Sequence, residues 1–102
     1  MIKAIIIDLD GTTLPRNWHQ ISEENRVALE EAGQQGVVRI LATRRSEFAL
    51  NYTLPEGLPV DYMVFSSGAG IMHWDDKEIL LTRELSAEET LDIATHLWKY
   101  DI

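Results

Sequence analysis

Cysteine is absent from this 102-residue chain, which excludes a disulfide framework and any thiolate metal site. No apolar stretch reaches the roughly 20 residues that a membrane-spanning helix needs. Basic residues are scarce: 9 Lys and Arg stand against 17 Asp and Glu, a formal net charge of −8. That balance argues against a nucleic-acid backbone or an anionic membrane as partner. It also leaves any phosphate binding to a local device, either a metal or backbone N–H groups. A signal peptide's pattern is lacking, because the apolar run over 2–7 is short and leads straight into Asp8. The cytoplasm is the default expectation. There are no repeats and no low-complexity segments, and His19, His73 and His96 show no metal-ligand spacing.

The residues that are present describe an ordinary soluble domain, with 45% apolar and 25% charged residues. The length allows one modest domain, or one domain plus a fragment of another, and a core of limited margin. Residues 2–9 are nearly all apolar, which suits a parallel strand covered on both faces. A loop comes next, with Pro15 and Asn17 as turn formers. Ser22 is placed to cap a helix whose first turn carries Glu23 and Glu24, where the helix dipole favours anions. That helix runs to about Ala32, ends at Gly33 or Gly36, and buries Val27, Ala28 and Ala32 with Leu29 at the margin.

Residues 37–42 form a second strand. Ser46 opens a second helix carrying Phe48, Tyr52 and Leu54, closed by Pro55 and Gly57. Residues 60–65 form a third strand. This strand–helix order predicts a parallel sheet with right-handed crossovers. A hairpin is expected from 71–74 and 78–81 around Asp75, Asp76 and Lys77. Ser86 and Glu89 form a capping box for a last helix with Leu91, Ala94, Leu97 and Trp98 on one face, Trp98 in the core.

The chemistry concentrates at 8–12, D-L-D-G-T, directly after the first strand. Open α/β sheets bind ligands at the carboxyl ends of their strands. An Asp there can attack phosphorus, a second can donate and then take a proton, and carboxylates this close call for a cation such as Mg2+. D-x-D alone is more often just a strand end and a turn; the longer string after I-I-I is far more specific.

This string resembles the first motif of the haloacid-dehalogenase (HAD) superfamily of phosphohydrolases. V-V-R-I-L-A-T-R-R at 37–45 is similar to the family's second strand with its A-T-G-R ending, and D-Y-M-V-F-S-S-G-A-G at 61–70 to its third strand and N-G-A signature. The segment after Gly70 looks like the opening of the α/β cap of the Cof-like branch. The resemblance spans the chain but covers only the first part of such a protein. It implies an α/β fold: a three-layer, Rossmann-like parallel sheet, incomplete here, over 1–68, with the start of a cap over 69–102.

By the same resemblance, Asp8 is the nucleophile and Asp10 the general acid and base. Asp8 and Asp10 belong to an Mg2+ site. Thr43, Arg44, Gly11 and Thr12 surround the phosphate, Gly11 permitting the tight turn and Thr12 buttressing the loop. Arg44 departs from the family's Gly, which lets the backbone come close to the phosphate; it either offers a guanidinium or points outward. Arg45 matches the family's Arg and by itself reads as a solvated charge. Ser67 replaces the family's Asn.

The family's later Lys and acidic pair have no counterpart among Lys77, Lys99 and the acidic residues after Asp61. The implied function is Mg2+-dependent hydrolysis of phosphate monoesters of small metabolites through an aspartyl-phosphate, weak or inactive in these 102 residues. The alternative is a truncated, catalytically silent domain that serves assembly or binding. A homodimer through an exposed edge of the first strand is expected.

Overall fold

The computed structural model describes residues 1–11, 13–14, 21–54 and 57–100. Five strands form one sheet in the order β1-β2-β3-β4-β5. They are β1 (Ala4–Asp8), β2 (Val38–Ala42), β3 (Tyr62–Phe65), β4 (Gly70–His73) and β5 (Glu78–Thr82). β1, β2 and β3 are parallel, in the register Asp8↔Ala42 and Ala42↔Val64. The sheet is mixed, because β4 runs antiparallel to β3 and β5 antiparallel to β4. The expected hairpin therefore continues the same sheet.

α1 (Glu23–Gln34) and α2 (Glu47–Thr53) connect the parallel strands, and α3 (Ala87–Trp98) comes after β5. The three caps read from the sequence are present. The hydroxyls of Ser22 and Ser46 accept from the backbone N–H groups of Asn25 and Ala49, and Ser86 and Glu89 form the capping box. α1 stops because Gly36 adopts a left-handed φ of 80°, which a residue without Cβ tolerates.

The core joins Leu9, Leu14, Leu29, Leu41, Leu50, Met63, Phe65, Met72 and Trp74. Three burial expectations need correction. In α1 it is Leu29 that is buried, while Val27 is 40% exposed and Ala28 is also exposed. β1 is not covered on both faces: Ile5 and Ile7 are half-buried and Ile6 is exposed. β1 lies at the edge of the sheet, with no strand beyond it among the described residues. Trp98 is 85% exposed and not core, because no described element covers the apolar stripe of α3.

Candidate functional site

Parallel pairing brings the carboxyl ends of β1, β2 and β3 to one edge of the sheet. Asp8 ends β1, Thr43 follows β2, and Ser66 follows β3. An open depression of about 370 Å3 lies there, lined by Asp8, Ala42, Thr43, Arg44, Val64, Ser67 and Gly68. Its size falls within the range of about 300–1,000 Å3 usual for small-molecule sites.

The loop after β1 turns back on itself. Leu14 N–H donates to Leu9 O (2.7 Å) and Gly11 N–H to Leu14 O (2.8 Å). Gly11 has φ 78°, the left-handed conformation that explains glycine at this position. Thr12 lies outside the described residues. Its neighbour Thr13, which sequence reasoning misses, is buried, and its hydroxyl donates to Asp8 O at 2.8 Å. Asn25 Nδ2 then donates to Thr13 O (3.4 Å), tying the loop to α1. The available signal is the second threonine of the D-G-T-T string.

Asp10 stands beside the depression and is held from the second motif. Thr43 Oγ1 donates to Asp10 Oδ2 (3.1 Å). Arg45 Nε donates to both Asp10 oxygens (2.9 and 3.1 Å), and Arg45 Nη2 pairs with Asp10 Oδ1. Arg45 is braced in turn. Its backbone N–H donates to Thr43 Oγ1 (3.1 Å), and its Nη1 donates to Thr53 Oγ1 in α2 (3.0 Å). So Arg45 is no solvated charge: it is the strongest polar link between the two motifs, since a fork on a carboxylate combines charge with two aligned hydrogen bonds.

The lip after β3 is strained. Ser66 and Ser67 have φ 48° and 56°, unusual for residues with a Cβ, and Gly68 continues at 99°. Ser66 N–H donates to Arg45 O (2.8 Å) and Ser67 N–H to Thr43 O (3.1 Å), so the strained turn is fastened to the second motif. Such backbone clusters at functional sites.

Asp8 and Asp10 are hard oxygen donors of the kind Mg2+ takes. No group of three His, Cys, Asp or Glu that could hold a metal occurs among the described residues. Mg2+ often takes only one or two carboxylates and completes its shell with water and substrate phosphate, so the donors fit it as a partial site. At the opposite end of the strands a second polar cluster is structural. Arg39 Nη2 and Nε donate to the two oxygens of Asp61 (3.1 Å each), Arg39 N–H donates to Asp61 Oδ2 (2.8 Å), and Arg39 Nη1 donates to Leu29 O (3.1 Å). The hydrogen bond from Arg39 holds the Asp61 carboxyl below its ordinary range.

Among known proteins the chain is similar to the phosphatase YwpJ of Bacillus subtilis, 30% identical over 94% of this chain and 33% of that protein. It is also similar to the 5-amino-6-(5-phospho-D-ribitylamino)uracil phosphatase YcsE of the same organism, 36% identical over 82% of this chain and 32% of the relative. The chain thus spans about a third of the length of these relatives. A haloacid dehalogenase-like hydrolase from B. subtilis superposes with a TM-score of 0.77 at 29% identity, covering 98% of this chain and 34% of that structure. A phosphatase of the superfamily from Bacteroides thetaiotaomicron superposes with a TM-score of 0.83 at 24% identity, covering 99% and 37%. That last likeness speaks for the fold alone. The family model for haloacid dehalogenase-like hydrolases matches residues 5–102, and the chain belongs to that family.

Proposed function

We propose that this chain contributes the nucleophile half of an Mg2+-dependent phosphatase site acting on monoesters of small phosphorylated metabolites. The observation that carries the reading is the convergence of Asp8, Thr43 and the strained turn on one depression, with Asp10 hydrogen-bonded to Thr43 beside it. The relatives named above are phosphatases. Asp8 Oδ attacks phosphorus and the bond to the ester oxygen breaks. Asp10 donates a proton to that leaving oxygen, and later takes one from the water that attacks the aspartyl-phosphate and frees Asp8. Thr43 orients a phosphoryl oxygen, and Gly11 shapes the loop that holds both carboxylates. Mg2+, held by the Asp8 carboxylate and the Asp10 backbone carbonyl, would neutralise charge between carboxylate and phosphate. A cytoplasmic location belongs to this reading, and so does the division into a core over 1–68 and the start of a cap over 69–102. No helix among the described residues is long and apolar enough to cross a membrane.

The same reading pairs two copies along β1, which has no strand on its outer side among the described residues. One observation favours a second reading, a catalytically silent module for binding or assembly. Both Asp10 oxygens accept from Arg45, and Asp10 does not line the depression, so it must turn from Arg45 to meet a leaving group. Hydrolysis of a generic aryl phosphate decides between them. Slow turnover that needs Mg2+ and disappears in Asp8→Asn is expected. Phosphate release that survives Asp8→Asn refutes the site, and phosphate binding without turnover selects the silent module.

A further inference from the structure

Arg44 differs from the other described arginines. Arg26, Arg39 and Arg45 are each committed to carboxylates, and Arg83 donates to Thr82 O. Arg44 makes no hydrogen bond or ion pair among the described residues, although the chain carries a net charge of −8. It is exposed, and it lines the depression together with Asp8 and Thr43. A guanidinium left unpaired in so acidic a chain, lining the same depression as Asp8 and Thr43, is suited to an anion from outside.

Thr43 is buried at the floor and Arg44 is exposed on the rim, so the two reach different depths of the same depression. Its volume exceeds what one phosphoryl group fills. We infer that Arg44 selects substrates carrying a second anionic group, a carboxylate or another phosphate, beside the phosphoryl group that reacts at Asp8. This rests on the proposed phosphatase site and narrows its substrate class. It gives a physical reason for a long cation at 44: a shorter residue leaves the second anion unpaired against Asp8, whose carboxylate repels it.

The probes are methylphosphonate, with one anionic group, and phosphonoacetate and methylenebisphosphonate, each with two. Isothermal titration of the full chain with each, in Mg2+ buffer, gives the affinities. Phosphonoacetate is expected to bind more tightly than methylphosphonate. Arg44→Gly is expected to weaken phosphonoacetate by about 10-fold to 100-fold, as for loss of a hydrogen bond between charged groups, and methylphosphonate by no more than about two-fold. Arg44→Lys should recover part of the loss. Comparing phosphonoacetate with the bisphosphonate tells a carboxylate from a second phosphate. Equal weakening of all probes by Arg44→Gly, or no weakening, overturns the inference while leaving the site intact. Thr43→Val should weaken all three alike. If it changes none, or if the wild-type chain binds no probe, the site itself is wrong and the inference falls with it.

Discussion

At the scale of single residues, geometry and charge decide which positions tolerate change. Gly70 begins β4, and a Cβ built there would lie 2.1 Å from Cζ of the buried Phe65 ring. The ring sits in the core and has little room to move, so Gly70→Ala is expected to destabilise by about 1–3 kcal/mol, as overpacking does. Urea unfolding measures this, and an unchanged midpoint would show that Phe65 repacks freely. The Arg39–Asp61 pair predicts a pH dependence. The folded Asp61 carboxyl titrates below its unfolded value of about 3.9. Its contribution to stability is therefore complete above that value and is lost as pH falls through the lower folded pKa. Arg39→Gln should flatten the acid limb of stability below about pH 4. A limb of unchanged slope would assign acid unfolding to other carboxylates. At the site, Arg45 shows how misleading an isolated arginine can be: its role appears only once Asp10 lies across from it.

At the scale of elements, local signals and tertiary cover part company. α3 has a complete capping box and a clear apolar stripe, yet every one of its residues is exposed. With so little tertiary cover, its helicity should rest heavily on the cap and on propensity. Ser86→Ala is expected to cost about 1 kcal/mol of helix stability. The loss should appear as faster amide exchange in α3, with β2 and β3 unchanged. Faster exchange across the whole sheet would mean that α3 is coupled to the core after all. α2 works the other way. It is only seven residues long, but Leu50 is fully buried and Thr53 braces Arg45, so packing holds a helix that propensity alone would not.

At the scale of the whole molecule, β1 is an edge strand with no neighbour on its outer side among the described residues. An open groove of about 200 Å3 runs beside it, lined by Ile5, Ile7, Thr13, Asn25, Ala28 and Leu29. Edge strands with apolar neighbours are templates for pairing with another chain, and two-fold closure is the commonest outcome. Sedimentation equilibrium at micromolar concentration is expected to show a homodimer. Ile6→Lys, on an exposed edge position, should shift it toward the 11.6 kDa monomer. A wild-type monomer whose β1 amides are protected from exchange would place the cover of that edge within one chain.

The sequence by itself determined the elements and which side chains stand near the ends of the strands. Caps at Ser22, Ser46 and Ser86 are local hydrogen bonds between residues three apart, so they are written in the chain order. The carboxylates at 8 and 10 and the hydroxyl at 43 could be placed at strand ends for the same reason. Burial was a different matter. Val27, Ile6 and Trp98 have the right character for a core, but whether they enter one depends on what lies opposite, and that is set by strand order. Tertiary structure alone joined the hairpin to the sheet, gave Arg39 to Asp61 across 22 positions of sequence, and gave Arg45 to Asp10 across 35. Those pairings are fixed by register between distant strands, and no local propensity encodes a register.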